Sequence, residues 1–211
     1  MAKKPTPRRQ ARGEARRRQV LEATLRLLAR GGPRAVTHRA VAKEADASLR
    51  STTYYFDSRE ELLVEALRHY AATALERFDT LAASLPQLDR AQVPPEPEVL
   101  RAAAEVLAET VISDLDADRN GLVAEYELVL ETTRHPALEA DYRKWQQSLE
   151  DILATYARAF GSSDPALDAR IALATLRGLE IEALARPSTK PSRADLTKVF
   201  LRLLRGTASN K

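Results

Sequence analysis

Residues 37–63 read THRAVAKEADASLRSTTYYFDSREELL, and they divide into a helix, a tight turn and a second short helix that ends in aromatic residues. In the first part Val41 and Ala45 stand four residues apart with Ala42 adjoining, the spacing of a narrow stripe of small side chains on one helix face. Thr37 has the residue type of an N-cap. Asp46-Ala47-Ser48 interrupts the pattern: Asp tolerates a left-handed or turn conformation, and a Ser hydroxyl accepts a backbone N–H at the start of a following helix. The next segment, Leu49 to Phe56, holds no acidic residue and is dense in hydroxyls, which donate to phosphate oxygens and base edges. Ser58 and Glu61 form an S-x-x-E capping box ahead of Leu62 and Leu63, so a longer helix is expected from Arg59. This sequence of elements predicts a helix-turn-helix that reads DNA.

Working outward, a helix from about Glu14 to Ala29 is expected from the apolar face of Val20, Leu21, Thr24, Leu25, Leu27 and Leu28, with Gly31-Gly32-Pro33 ending it. Leu21, Leu25, Leu28, Val36, Val41, Ala45 and Phe56 make its expected core. The helix from Arg59 to about Leu85 repeats apolar residues at three- and four-residue spacing and braces that small core. Its movement would re-aim the short aromatic-ended helix. Residues 86–97, PQLDRAQVPPEP, hold four prolines and read as a linker. Further helices are expected at about Glu98–Ser113, Arg119–Thr133, Pro136–Phe160, Pro165–Ala185 and Ser192–Leu204, with no alternating strand pattern, so the architecture is all-α. The domain reading is a flexible basic arm over 1–15, a helix-turn-helix domain over 16–60, a helical region over 61–206 and a flexible tail over 207–211.

Charge divides along the same lines. Residues 1–60 carry 15 Lys/Arg against 6 Asp/Glu, whereas residues 61–211 carry 18 against 24; such asymmetry is expected where one end meets a polyanion. The arm reads either as a solubilising tail or as a DNA-tracking segment, with Arg12, Arg16, Arg17 and Arg18 nearest the domain. No apolar run approaches the ~20 residues that span a bilayer, and the N-terminus lacks the apolar core of a signal peptide, so a cytoplasmic location is expected. The chain has no cysteine, which fits that compartment and excludes disulfides, thiolate chemistry and cysteine-ligated zinc.

Asp116 to Glu127, DADRNGLVAEYE, satisfies the spacing of an EF-hand calcium loop. Leu122, Tyr126, Val129, Leu130 and Thr133 repeat at helical spacing through the same residues, and a helix there carries Glu127 away from the aspartates. The favoured reading is an acidic interhelical loop with Asp116 or Asp118 as N-cap, and no metal site. His38, His69 and His135 are scattered, and no phosphate loop, nucleophile elbow or triad is present. Catalytic residues and cofactors are therefore not expected, and neither is an enzyme. Tyr126, Tyr142, Trp145, Tyr156 and Phe160 are candidate walls of an apolar cavity, with Arg134, Arg143 or Arg177 at a polar end; plain core packing accounts for each equally well, and no ligand residue is assigned.

The run AVTHRAVAKEADASLRSTTYYFDSREELL resembles the N-terminal DNA-binding domain of the TetR family of transcriptional regulators, over about fifty residues from Arg16 to Leu67. Thr37, Val41, Ala42, Ala45, Ser48, Tyr55, Phe56, Ser58, Arg59, Glu61, Leu62 and Leu63 fit its pattern. Asp46, Leu49-Arg50 and Thr52-Thr53 depart from it, so the preferred DNA sequence is this chain's own. The resemblance implies a C-terminal helical domain for ligand binding and dimerisation, and a homodimer formed through the last two helices, whose long apolar stripes agree with that. It implies a ligand-responsive regulator, usually a repressor, whose paired recognition helices enter successive major grooves of a palindromic operator in double-stranded DNA. Thr37, Ser48, Tyr55 and Arg59 would hold phosphates, with His38 and Arg39 near the backbone or a base. Arg50, Ser51, Thr53 and Tyr54 would face bases or adjoining phosphates, Arg50 by bidentate contact with guanine. The small-molecule effector is unidentified. Two other classes fit less well: a sequence-nonspecific nucleoid-type binder, and a helical ligand-binding module without DNA function.

Overall fold

The computed structural model describes the backbone of residues 7–83 and 96–208, and the side chains of residues 11–83 and 96–206. Among these residues there are nine helices and no strand: α1 (Pro7–Ala35), α2 (His38–Glu44), α3 (Leu49–Tyr55), α4 (Arg59–Ala82), α5 (Pro97–Asp116), α6 (Arg119–Glu131), α7 (Pro136–Ala159), α8 (Pro165–Ala185) and α9 (Arg193–Ala208). The all-α expectation holds. The proline-rich linker up to residue 95, the first six residues of the basic arm and the last three of the tail lie outside the described residues.

Two expected boundaries move. Residues 7–15, read as a flexible arm, form the start of α1; Arg, Gln, Ala and Glu favour helix without making an apolar stripe, and proline is suited to a first helical position. The last helix likewise runs past Leu204 to Ala208, into residues read as tail. Within α1 the helix breaks at Gly32, whose φ of 64° and ψ of −171° lie in a region open essentially to glycine alone.

The described residues gather into two compact units, and α4 contributes to both. The first unit runs through Ala72 and also takes in Asn120–Tyr142, residues that the sequence reading gave to the second domain. Contacts across it explain why. Arg68 on α4 pairs with Asp141 at 2.8 Å, His135 lies 3.6 Å from Glu60, and a Cβ placed on Gly32 would stand 3.2 Å from the Glu127 carboxylate. The expected core of Leu21, Leu25, Leu28, Val36, Val41, Ala45 and Phe56 is buried, joined by Val20, Leu62, Leu63 and Leu67. Burial of a side chain such as Phe56 contributes about 1.5–3 kcal/mol.

The second unit comprises Thr73–Arg119 and the chain from Arg143 on. There α5 packs on α8 and α9, burying Leu107 and Val111 against a core that includes Leu173, Leu176, Leu196 and Phe200. Arg77 pairs with Asp114 at 2.9 Å and with Asp118 at 3.3 Å. Burial raises the Asp114 pKa above the usual carboxylate range, with Arg77 opposing the shift. Asp116 ends α5 and pairs with Lys190, so it is not the cap of α6; Asp118 directly precedes that helix. Because α6 starts at Arg119, Asn120 to Glu127 climb a helix at about 1.5 Å per residue and cannot wrap an ion as a calcium loop does.

Candidate nucleic-acid interface

The two short helices are fixed by their caps. Thr37 Oγ1 accepts the Ala40 N–H at 3.1 Å and Ser48 Oγ accepts the Ser51 N–H at 3.1 Å. Each hydroxyl proton stays available to an outside acceptor such as a phosphate oxygen. Between the helices Asp46 adopts a φ of 46°, the left-handed turn that lets α3 leave at an angle to α2. Arg16 on α1 donates to the Asp46 carbonyl at 3.2 Å and holds the turn from outside. The capping box of α4 is also formed, with one shift in register: the Glu61 N–H donates to Ser58 Oγ at 3.0 Å, while the Glu61 carboxylate accepts the N–H of Asp57 at 2.6 Å.

One face of α3 is anchored and the opposite face is open. Thr52 is fully buried and its hydroxyl donates to the Leu49 carbonyl at 2.8 Å. Phe56, just beyond the helix, is buried with the Arg17 guanidinium 5.3 Å from its ring centroid. Leu49, Arg50, Thr53 and Tyr54 face outward, Tyr54 with 80% of its surface exposed. Thr53 turns its hydroxyl proton back to the Leu49 carbonyl at 3.1 Å, which leaves the oxygen as an acceptor. Ser51 and Tyr55 are half-buried. Tyr55 makes an edge contact with Tyr54 at 5.2 Å, and its hydroxyl lies 3.6 Å from where a Cβ on Gly13 would stand.

The cations of this region divide by whether the protein already uses them. Arg26 and Arg30 of α1 grip Glu44 at the end of α2 and hold its carboxyl below the usual range, Arg26 contributing most. Arg17 pairs with Glu65. Arg59 donates from Nε to the Val36 carbonyl at 3.2 Å and from Nη2 to the Pro33 carbonyl at 2.7 Å, so two of its five N–H groups serve the bend between α1 and α2. Arg39, Lys43 and Arg50 have no side-chain hydrogen bond or ion pair among the described residues. His38 is half-buried, and its Nδ1 is enclosed without a hydrogen-bond partner. The structure therefore presents Thr37, Arg39, Ser48, Arg50, Thr53 and Tyr54 outward, and keeps His38, Ser51, Tyr55 and Arg59 partly covered. The holding roles of Arg16 and Arg17 have no local sequence signal.

The second unit contains a cavity of about 40 Å³ walled by α4, α5, α7, α8, α9 and Phe160. Tyr156 and Phe160 belong to its walls, whereas Tyr126, Tyr142 and Trp145 do not. The arginines weighed for a polar end are absent from those walls as well. Arg134 pairs with Glu131, and Arg177 lies 5.9 Å from the Trp145 ring centroid. No helix among the described residues is long and apolar enough to cross a membrane.

Comparison with known proteins bears on both units. Residues 20–66 match the family model described as bacterial regulatory proteins, tetR family, and residues 99–206 match that of the tetracyclin repressor-like C-terminal domain. The HTH-type transcriptional repressor KstR of Rhodococcus jostii is 45% identical over 65 residues, which span 31% of this chain and only 29% of that protein. The HTH-type nicotine-responsive transcriptional repressor HdnoR of Paenarthrobacter nicotinovorans is 25% identical over 186 residues, covering 86% of this chain and 89% of that one. Among solved structures, a member of the TetR family from Streptomyces coelicolor A3 superposes with a TM-score of 0.66 at 33% identity, over 89% of this chain and 97% of that one. With a helix-turn-helix whose outer face carries unpaired cations, and both of its parts matched by family models, this chain belongs to the TetR family of DNA-binding transcriptional regulators.

Proposed function

We propose that the chain is a homodimeric, cytoplasmic repressor that holds a palindromic operator through its two α3 helices and lets go when a small molecule enters the second unit. The outer face of the helix-turn-helix carries this reading: Arg39, Lys43 and Arg50 stay unpaired there, whereas Arg17, Arg26, Arg30 and Arg59 are engaged within the unit. In the proposed contact set Thr37, Ser48, Tyr55 and Arg59 hold phosphates, and His38 and Arg39 lie near the backbone or a base. Arg50, Ser51, Thr53 and Tyr54 face bases or adjoining phosphates. For Arg59 the proposal is limited to its remaining N–H groups, since Pro33 and Val36 already take two. Exposed apolar side chains on α8 and α9 support pairing of two chains there.

Release follows from differential affinity. A ligand that binds better to an arrangement in which the recognition helices no longer match successive grooves shifts the population toward it, and only by that difference. The continuous helix α4, shared by both units, is the proposed carrier of the shift. Selection of bound fragments from random duplex DNA tests the reading. The expected product is a two-fold symmetric site with half-sites centred ~34–36 Å apart or somewhat further; recovery of unrelated sequences would indicate a nonspecific binder. With the selected site placed over a reporter promoter, expression should fall when the protein is present.

A further inference from the structure

We propose that the cavity of the second unit selects a compact organic cation, an amine or quaternary ammonium group on an apolar body, with Asp168 as its counter-charge. The inference rests on the proposal above that a small-molecule effector enters the second unit, and it places that effector in this cavity. Its walls are almost entirely carbon, with the rings of Phe78, Tyr156 and Phe160 among them, and Asp168 is the only acidic residue. No Lys, Arg or His lines it. The Asp168 carboxylate is half-buried, and its one hydrogen bond among the described residues comes from the Ser162 hydroxyl to Oδ2 at 2.5 Å. That bond leaves Oδ1 open and adds no positive charge.

A carboxylate beside apolar walls and without a cationic partner attracts a cation more strongly than it would in water. Aromatic faces add attraction of the same sign. An anionic ligand would meet repulsion and find no cationic group to receive it, and a neutral one would gain no charge attraction. A quaternary ammonium fits such walls because it has no N–H left unsatisfied; an amine would direct its N–H to Oδ1. The cavity of about 40 Å³ holds only a few waters as it stands, so a ligand enters by moving side chains aside.

Asp168 also lies in the first turn of α8, where a carboxylate complements the positive end of a helix. That role predicts an effect of its removal on stability alone, so ligand discrimination separates the two. The experiment is calorimetric titration of the full-length protein with phenyltrimethylammonium and with its uncharged isostere tert-butylbenzene. The wild type should prefer the cation by at least about tenfold. Asp168→Asn, which keeps the shape and an oxygen acceptor for Ser162, should abolish that preference while leaving tert-butylbenzene binding unchanged. Equal affinity of the wild type for both probes, or a cation preference that survives Asp168→Asn, overturns the proposal and leaves the cavity standing as an apolar site. Binding of neither probe, or cation binding that persists in the cavity-filling variant Ala172→Leu, overturns the cavity reading together with it.

Discussion

Arg50 is the second residue of α3, exposed and without a protein partner. A guanidinium in that position can take guanine O6 and N7 together, at ~1–3 kcal/mol of discrimination against the wrong base. Arg50→Ala is therefore expected to relax preference at one base pair of each half-site while the remaining positions hold, as read by repeating operator selection with the variant. A uniform loss across sequences, with the salt slope reduced by about one unit per arm, would mark a phosphate contact instead. Arg59 leads to a different expectation because two of its N–H groups already serve Val36 and Pro33. Hydrogen bonds from a charged group contribute ~1.5–3 kcal/mol, so Arg59→Ala should lower the denaturant midpoint of the free protein, and Arg59→Lys should restore only part of it, since an ammonium lacks the planar fork. An unchanged midpoint would return Arg59 to a phosphate role alone. At this scale the caps were legible, because Thr37, Ser48 and Ser58 act on N–H groups three residues away. The work of Arg16, Arg17 and Arg59 was not. Their partners lie 30, 48, and 23 or 26 residues away in sequence, and only the packed fold brings them together.

Helices with strong stops were placed well by sequence reasoning. Asp164 and Pro165 open α8, the Asp164 side chain accepting the Leu167 N–H at 3.1 Å, and the helix spans the expected Pro165–Ala185. The start of α1 was missed because residues 7–15 carry helix-forming side chains with no apolar repeat. Periodicity likewise shows that α6 is a helix, and carries no signal that the stretch holding it gathers with residues 1–72. The clasp of Arg26 and Arg30 on Glu44 ties α1 to α2 and depresses the carboxyl pKa. A depressed folded-state pKa gives stability that is present above the unfolded value, ~4.3, and is lost as pH falls through the folded one. Glu44→Gln cannot titrate, so its unfolding midpoint should fall less between pH 7 and pH 3 than that of the wild type. Equal falls in the two proteins would show that the clasp contributes nothing to acid stability. The pair is largely solvent-accessible, with Arg26 and Arg30 side chains 41% and 59% exposed, so the difference should be small and should shrink further in high salt.

For the whole molecule, charge and apolar surface assign different tasks to the two ends of the chain. The excess of Lys and Arg lies in residues 1–60, whereas the exposed apolar side chains of the second unit lie on α8 and α9. Leu167, Ile171, Ile181 and Val199 expose 49%, 41%, 51% and 41% of their surface. Leu167, Ile171 and Ile181 fall on one side of α8 at spacings of four and ten residues. Gly178 sits on the same helix with nothing within 4 Å of where its Cβ would be, which leaves room for another backbone to approach. Two chains meeting on this face would remove it from water, and an interface sufficient for a stable pair buries ~1,200–2,000 Å² in total. The double variant Ile171→Glu with Ile181→Glu places like charges across such a contact, so sedimentation equilibrium should give a monomer at concentrations where the wild type is a dimer. Its helix content should be unchanged, because neither residue belongs to the buried core. The monomer should still bind a single half-site with the same base preference, and should lose the added affinity for the full palindrome that comes from tethering two readers. Retention of the dimer in this variant would place the interface elsewhere. A monomeric wild type would remove the two-fold premise, and operator selection would then be expected to return a single half-site.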